Sequence, residues 1–130
     1  MQSNIHIETS GWCYAHWRHR FYPDKLPSTE YLRYYARHFS ATEINTTFYQ
    51  LPAARIVQNW RRSIPNSFIF CPKMYRGITH EHRLLRPEQT LPSFFASIEP
   101  LKTQTGPILI QLPPSVIFHD EPAGRFFHIL

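Results

Sequence analysis

Polar side chains follow several predicted strands of this chain, at the positions where each strand ends. Glu43 and Asn45 come at the end of one apolar segment, and Lys73 follows the next. Gln111 holds the same place after a later segment. Because the carboxyl ends of parallel strands carry the chemistry of α/β folds, these side chains are expected to converge on one mouth. The pattern predicts a functional site without naming its substrate.

Three side chains near this mouth have the types that acid–base chemistry needs. Glu43 could be a general base, or could orient Lys73 through an ion pair. Lys73 could hold a phosphate or carboxylate, or form a Schiff base as the free amine. His80, in the loop after the third segment, could shuttle a proton near neutral pH. These three residues are the catalytic candidates.

A second set of side chains would bind the substrate. Amide groups could bind hydroxyls or amides, and aromatic rings could form apolar walls. The binding candidates are Ser10, Trp12, Trp17, Asn45, Tyr49 and Gln111.

Several of these residues could instead have a purely structural role. Glu43 and Lys73 could form a buried pair that only satisfies itself, and Asn45 could bond to loop backbone. His80 and Gln111 could each stabilise a loop, and tryptophans are more often packed in a core than used as ligand platforms.

No motif points to a metal or a cofactor. The eight His are dispersed, and His80-Glu81-His82 lacks a spacing such as His-Glu-x-x-His. The four Gly form no phosphate-cradling loop. Neither Cys13 nor Cys71 lies in a nucleophile signature, and Cys71 is expected to be a strand core residue. We therefore expect neither a metal nor a cofactor.

Composition sets broad limits on the class of protein. The 130 residues fit one domain, and two cysteines are too few for a disulfide scaffold. The chain has no apolar run of roughly 20 residues and no signal-peptide pattern, so a cytoplasmic location without membrane contact is expected. The net charge of +5 suits anionic ligands. The Lys and Arg residues are scattered, however, so a merely basic surface is the simpler explanation.

Apolar periodicity predicts alternating strands and helices. This order favours an α/β fold with a parallel sheet, and a third strand that is apolar on both faces is typical of a sheet covered on two sides. Ser28 is the expected N-cap of the first helix, and Phe126 opens the last one. Strands are predicted over residues 4–9, 41–45, 67–71 and 108–112, and helices over 28–39, 53–63 and 90–99.

Several short stretches resemble one known family in their order and spacing, from about residue 5 to residue 118. The family is DUF72, or YecE-like, whose members are uncharacterised. The resemblance implies a TIM-type (β/α)8 barrel. It rests mainly on Thr9-Ser10-Gly11-Trp12, Glu43-Ile44-Asn45-x-Thr47-Phe48-Tyr49, Lys73, Ile78-Thr79-His80 and Gln111-Leu112-Pro113-Pro114.

Two departures from the family pattern bear on the site and the fold. The family usually opens Gly-Thr-Ser-Gly-Trp, whereas this chain has Glu8 in the first position. Glu8 either fills the space that a glycine would leave or adds a carboxylate to it. A barrel also needs about 250 residues. We therefore expect about four parallel βα units, as one incomplete domain over residues 1–130 that is truncated near the start of the fourth helix.

Three functions remain open. The chain could be half of a TIM-barrel enzyme that acts on a small polar or anionic substrate by acid–base or Lys-assisted chemistry. It could be a nucleic-acid or phosphate-binding module, in which the aromatic loop 12–22 acts together with Arg18, Arg20, Arg76 and Arg83. It could also be an inactive fragment that self-associates or needs a second chain, because half a barrel leaves open strand edges.

Overall fold

Two short parallel strands form the regular sheet in a computed structural model that describes residues 5–130. Strand β1 spans Ala41–Ile44 and strand β2 spans Ile69–Pro72. The two strands pair in register along their whole length. A further segment lies against the outer edge of each strand and makes only isolated parallel bridges. These bridges join Ser10 to Glu43, Phe70 to Thr105 and Lys73 to Leu109.

The outer two predicted strands are therefore not regular strands within the described residues. Residue 4 lies outside those residues, and residues 5–9 form no strand. Ile5 and Ile7 are 77% and 73% exposed, so their alternating apolar pattern has no helix layer to pack on. The segment 108–112 bridges only at Leu109. It lies between Gly106-Pro107 and a Pro-Pro pair, and proline has no N–H to extend a ladder.

Helices fill most of the intervals between these segments, as the periodicity predicts, but their bounds differ. Ser28 does not cap an α-helix; it begins a 3₁₀ turn that leads into the first helix. The last helix begins at Asp120, earlier than expected. The α-helices are α1 Tyr31–Tyr35, α2 Thr46–Tyr49, α3 Ala54–Arg62, α4 Pro87–Ile98 and α5 Asp120–Ile129. The 3₁₀ helices are Ala15–Trp17, Ser28–Glu30 and Glu99–Gln104, and a π-helix spans Gly77–Glu81.

One face of the sheet packs against helices and forms the first of two cores. Ile44 of β1 and Phe70 of β2 are almost completely buried there, against α1 and α3. The second core joins α4 and α5 to the segment that follows β2. The first core consists of Leu32, Tyr35, Ile44, Val57, Ile64, Phe68, Phe70 and Leu101, and the second of Met74, Ile78, Leu84, Leu91, Phe94, Ile98 and Phe126.

The opposite face of the sheet is only half-covered. Glu43, Ile69 and Cys71 are partly exposed there, so the expectation of a third strand buried on both faces is wrong for this chain. The residues that the structure describes supply no second layer over this face. None of the helices in the described part of the chain has the length and apolar character that crossing a membrane requires.

Candidate functional site

Glu43 lies on the half-covered face, where strand pairing fixes its neighbours. It pairs in register with Cys71 of β2 and bridges Ser10 on its other side. Its backbone N–H donates to the Thr9 carbonyl at 3.1 Å, and its own carbonyl accepts from the Gly11 N–H at 2.9 Å. The Ser10 hydroxyl donates to Glu43 Oε1 at 2.8 Å. Two of the predicted site residues therefore meet directly.

Lys73 comes directly after β2 and is tied to the end of β1. Its N–H donates to the Ile44 carbonyl at 3.1 Å. The Thr47 hydroxyl lies 2.7 Å from both the Ile44 carbonyl and the Lys73 carbonyl. Thr47 is completely buried, so this one hydroxyl joins the carboxyl ends of the two strands. The site rim, meaning the carboxyl ends of β1 and β2 with the residues that follow them, is held together at this point.

Among the residues that the structure describes, the Lys73 ammonium contacts an aromatic ring and no carboxylate. Its Nζ lies 4.5 Å from the centroid of the Phe48 ring, which is a cation–π distance. The Phe48 ring also packs against His80, and the centroids of these two rings are 5.0 Å apart. No ion pair joins Lys73 to Glu43 among residues 5–130. The self-satisfied Glu43–Lys73 pair that the sequence left open is not formed here.

His80 lies in a helical turn, and the expected polar loop is wrong at this point. The π-helix Gly77–Glu81 carries it, and its Nδ1 is 2.9 Å from the hydroxyl of Thr79. Thr79 is completely buried, so it gives one ring nitrogen of His80 a fixed partner. The imidazole is partly exposed.

Asn45 does not extend β1, so the argument that it shares a face with Glu43 fails. The strand ends at Ile44, and Asn45 has helical backbone angles, φ −75° and ψ −25°, at the start of α2. Its side-chain Oδ1 is buried and has no hydrogen-bond partner among the described residues. A buried acceptor without a hydrogen bond lowers the stability of the folded protein, unless a donor from a ligand or another chain reaches it. Asn45 therefore places a free acceptor at the site rim from the start of α2, and not from the face of β1 that carries Glu43.

Glu8 adds a carboxylate to the half-covered face. Burial raises the pKa of the Cys71 thiol to about 12, and a hydrogen bond to Glu8 and the negative charges of Glu8 and Glu43 act in the same direction. Both carboxylates thus lie close to one thiol. Of the two roles that the sequence allowed for Glu8, the structure favours the added charge.

Of the other binding candidates, Tyr49 lies beside this group, with its ring centroid 5.0 Å from that of Phe48, whereas the two tryptophans pack elsewhere. Trp12 packs edge-on against Trp60, with ring centroids 5.4 Å apart, and Trp17 packs against Phe21 at 5.6 Å. Both tryptophans are partly buried against the first core. Tyr49 is 61% exposed. Gln111 is exposed, two residues beyond the Leu109 bridge to Lys73.

Sequence reasoning missed Thr47 and Phe48 as parts of the site. Both stand in the stretch that carries the family resemblance, and this was the only available signal. No periodicity would identify a threonine that joins two strand ends, or a phenylalanine that lies between a lysine and a histidine.

The arrangement combines a carboxylate held by a hydroxyl with a cation that has no carboxylate partner in the described part of the chain. Such a cation can hold an anionic group, and a partly exposed imidazole nearby can donate or accept a proton. Within residues 5–130, no group of three or more His, Cys, Asp or Glu side chains is arranged to hold a metal ion.

Comparison with known proteins identifies the family. Residues 6–128 match the family model described as "Protein of unknown function DUF72". UPF0759 protein YecE of Escherichia coli is 35% identical over 92 residues, which are 71% of this chain and 34% of that protein. UPF0759 protein YunF of Bacillus subtilis is 30% identical over 116 residues, covering 85% of this chain and 40% of that protein.

Solved structures of the same family are similar to this chain. A DUF72 family protein from Thermotoga maritima matches with a TM-score of 0.75 and 28% identity, over 92% of this chain and 48% of that one. One from Enterococcus faecalis matches in fold with a TM-score of 0.68 and 21% identity, over 94% of this chain and 45% of that one. The chain thus spans less than half the length of each relative. With its α/β fold, parallel strands and family-model match, the chain belongs to the DUF72 family of proteins of unknown function.

Proposed function

We propose that the site rim binds a small polar or anionic substrate and belongs to an enzyme that uses acid–base or Lys-assisted chemistry. The observation that carries the proposal is Lys73, a partly exposed residue whose ammonium has an aromatic contact and no carboxylate partner among the described residues. Glu43, fixed by Ser10, is the proposed base. His80 is the proposed proton carrier.

The role of Lys73 is that of an anion holder. A ring face attracts an ammonium, so the contact with Phe48 holds the end of the Lys73 side chain at the rim, where a phosphate or carboxylate could meet it. The unpaired Asn45 Oδ1 would accept a hydrogen bond from a hydroxyl or amide of the same ligand. Trp12, Trp17, Tyr49 and Gln111 remain proposed wall or binding residues of the complete site.

Titration of the protein with inorganic phosphate, followed by two-dimensional NMR, tests the anion site. We expect the backbone signals around Lys73 to shift in a saturable way, and Lys73→Ala to abolish the saturation. Lys102→Ala is the matched control, because Lys102 is an exposed lysine paired with Glu99 at 3.0 Å. Phosphate binding that survives Lys73→Ala unchanged would remove the proposed role, as would the absence of any saturable shift in the unmodified protein.

We further propose that this chain supplies about four βα units of a TIM-type barrel. The support is the coverage of less than half of each relative and the parallel bridges that flank β1 and β2 on both sides. The exposed Ile5 and Ile7 on the first flanking segment would be covered in such a barrel. A second copy or a second chain would then complete the sheet.

Light scattering during gel filtration tests self-association. We expect the mass to rise above the 15.5 kDa of one chain as concentration increases. Ile7→Glu should suppress the rise, because it places a charge on the proposed contact. Leu85→Glu is the control, since Leu85 is exposed but lies outside the open edge. A cooperatively folding monomer at all concentrations argues against completion by a second copy.

A nucleic-acid role for the aromatic loop finds less support. Its rings are packed against each other and the core, and Arg76 is paired with Glu81 at 3.5 Å. Unpaired bases would need free ring faces for stacking.

A further inference from the structure

A second charged surface lies at the end of the molecule opposite the site rim. Helix α1 is followed by β1, and helix α3 by β2, so both helices end near the amino ends of the strands. The site rim is formed by the carboxyl ends. Arg33 is in the last turn of α1, and Arg61 and Arg62 are in the last turn of α3. Sequence spacing gave no sign of this cluster, because the two helices are far apart along the chain.

These arginines line three adjoining concave parts of the surface that share lining residues, and we call the three together the arginine groove. One part, of about 390 Å³, is lined by Arg33, Arg37 and Arg62. A second part, of about 510 Å³, shares Arg62 with the first and adds Arg61. A third part, of about 360 Å³, continues from Arg37. All four arginines are exposed.

Little negative charge balances the groove. The one carboxylate among its lining residues is Glu99, which is paired with Lys102 at 3.0 Å. Glu30 reaches Arg33 only at 3.8 Å, on an exposed surface where such a pair contributes little. Stabilisation of helix ends explains one cation per helix terminus. It does not explain why Arg37, which follows α1, and two arginines of α3 line adjoining parts of the surface together with Arg33.

The types of side chain that line the groove indicate what kind of partner it would bind. Within residues 5–130, the basic side chains that line the three parts are four arginines and His38, with no lysine. Planar guanidinium groups match phosphate oxygens in pairs. The aromatic rings at the edge belong to Phe39, which is partly buried, and Phe68, which is 1% exposed, so they offer no platform for unpaired bases.

We propose that the arginine groove binds the phosphodiester backbone of a nucleic-acid duplex without reading its sequence. This inference goes beyond the proposed function, because it concerns the opposite end of the molecule and needs none of the site-rim residues. Backbone contacts of this kind position a protein on a duplex and carry no sequence information.

Fluorescence anisotropy with a labelled DNA duplex of about 20 base pairs and random sequence tests the proposal. Four phosphate contacts predict a slope of about −3.6 in a plot of log affinity against log salt concentration. Affinity should then fall roughly 150-fold between about 50 mM and about 200 mM salt. A triple variant of Arg33, Arg37 and Arg62 to Gln leaves one contact, so its affinity should fall only about 3.5-fold over that range.

The control is a triple variant with the same loss of charge elsewhere. Lys25, Arg55 and Arg86 are exposed, lie outside the groove and form no ion pair among the described residues. Changing these three to Gln should leave the salt slope near that of the unmodified protein. If the groove triple variant fails to fold, Arg37→Gln and Arg62→Gln are measured singly, and each should reduce the slope by about one.

Three results would overturn the proposal. The first is no saturable binding of the duplex at about 50 mM salt. The second is an equal loss of salt dependence in the groove and control variants, which would indicate attraction by net charge alone. The third is tighter binding of the corresponding single strand, which would indicate stacking elsewhere on the protein.

Discussion

Thr47→Val should destabilise the protein, because the Thr47 hydroxyl joins the ends of both strands. The hydroxyl lies 2.7 Å from each of two carbonyl oxygens, those of Ile44 and Lys73. Valine has nearly the same shape but no hydroxyl. The Ile44 carbonyl keeps the bond from the Lys73 N–H, whereas the Lys73 carbonyl loses its hydroxyl donor. The bond to the Lys73 carbonyl is part-buried, and an acceptor left without a partner away from water costs about 1–3 kcal/mol.

Thr42→Val is the matched control, since Thr42 is a buried threonine on β1. Both side chains are 0% exposed, so the added methyl group is buried equally in the two variants. The Thr42 hydroxyl, however, makes only long contacts, of 3.3 Å to the Thr9 carbonyl and 3.4 Å to the Glu43 carbonyl. Contacts of this length contribute little, so we expect a cost below about 1 kcal/mol.

Thermal unfolding followed by circular dichroism measures the difference. For a domain of this size, 1 kcal/mol corresponds to roughly 4 °C in Tm, so Thr47→Val should lower Tm by roughly 4–12 °C. Thr42→Val should lower it by less than about 4 °C. Equal shifts, or a larger shift for Thr42→Val, would refute the claim that this hydroxyl holds the rim together. Phosphate titration of Thr47→Val should also show weakened binding, because the Lys73 backbone loses its anchor.

Two further predictions concern packing and protonation. Gly106→Ala should lower Tm, because the new Cβ would lie 2.4 Å from a side-chain carbon of β2, and overpacking costs about 1–3 kcal/mol; Gly124→Ala meets no atom within 4 Å and should be neutral or stabilising in its helix. A loss of stability in the second variant as large as in the first would contradict this. Cys71 should be alkylated by iodoacetamide far more slowly than the exposed Cys13 at pH 8, since its pKa of about 12 leaves little thiolate, and Glu8→Gln should speed the reaction because removing a negative charge favours the thiolate. Peptide mass mapping measures both rates, and equal alkylation of the two cysteines at pH 8 would count against the assignment.

The sequence by itself determined the fold class and the face that Glu43 occupies. Alternation along β1 is a local property, so Ile44 on the helix-covered face already implied Glu43 on the other. Helical periodicity likewise located α3, whose expected range of 53–63 differs from Ala54–Arg62 by one residue at each end. The family followed from short stretches in a fixed order, and the match over residues 6–128 confirms it.

Only the tertiary structure decided which side chains meet. Alternation placed Asn45 beside Glu43, but the chain turns into α2 after Ile44, and a turn of this kind depends on contacts with β2. The expected outer strands required neighbours to pair with, and the residues that the structure describes supply only single bridges. The arginine groove arises because two helices end side by side. Local patterns in a sequence fix local geometry, whereas proximity between distant segments depends on how the whole chain packs.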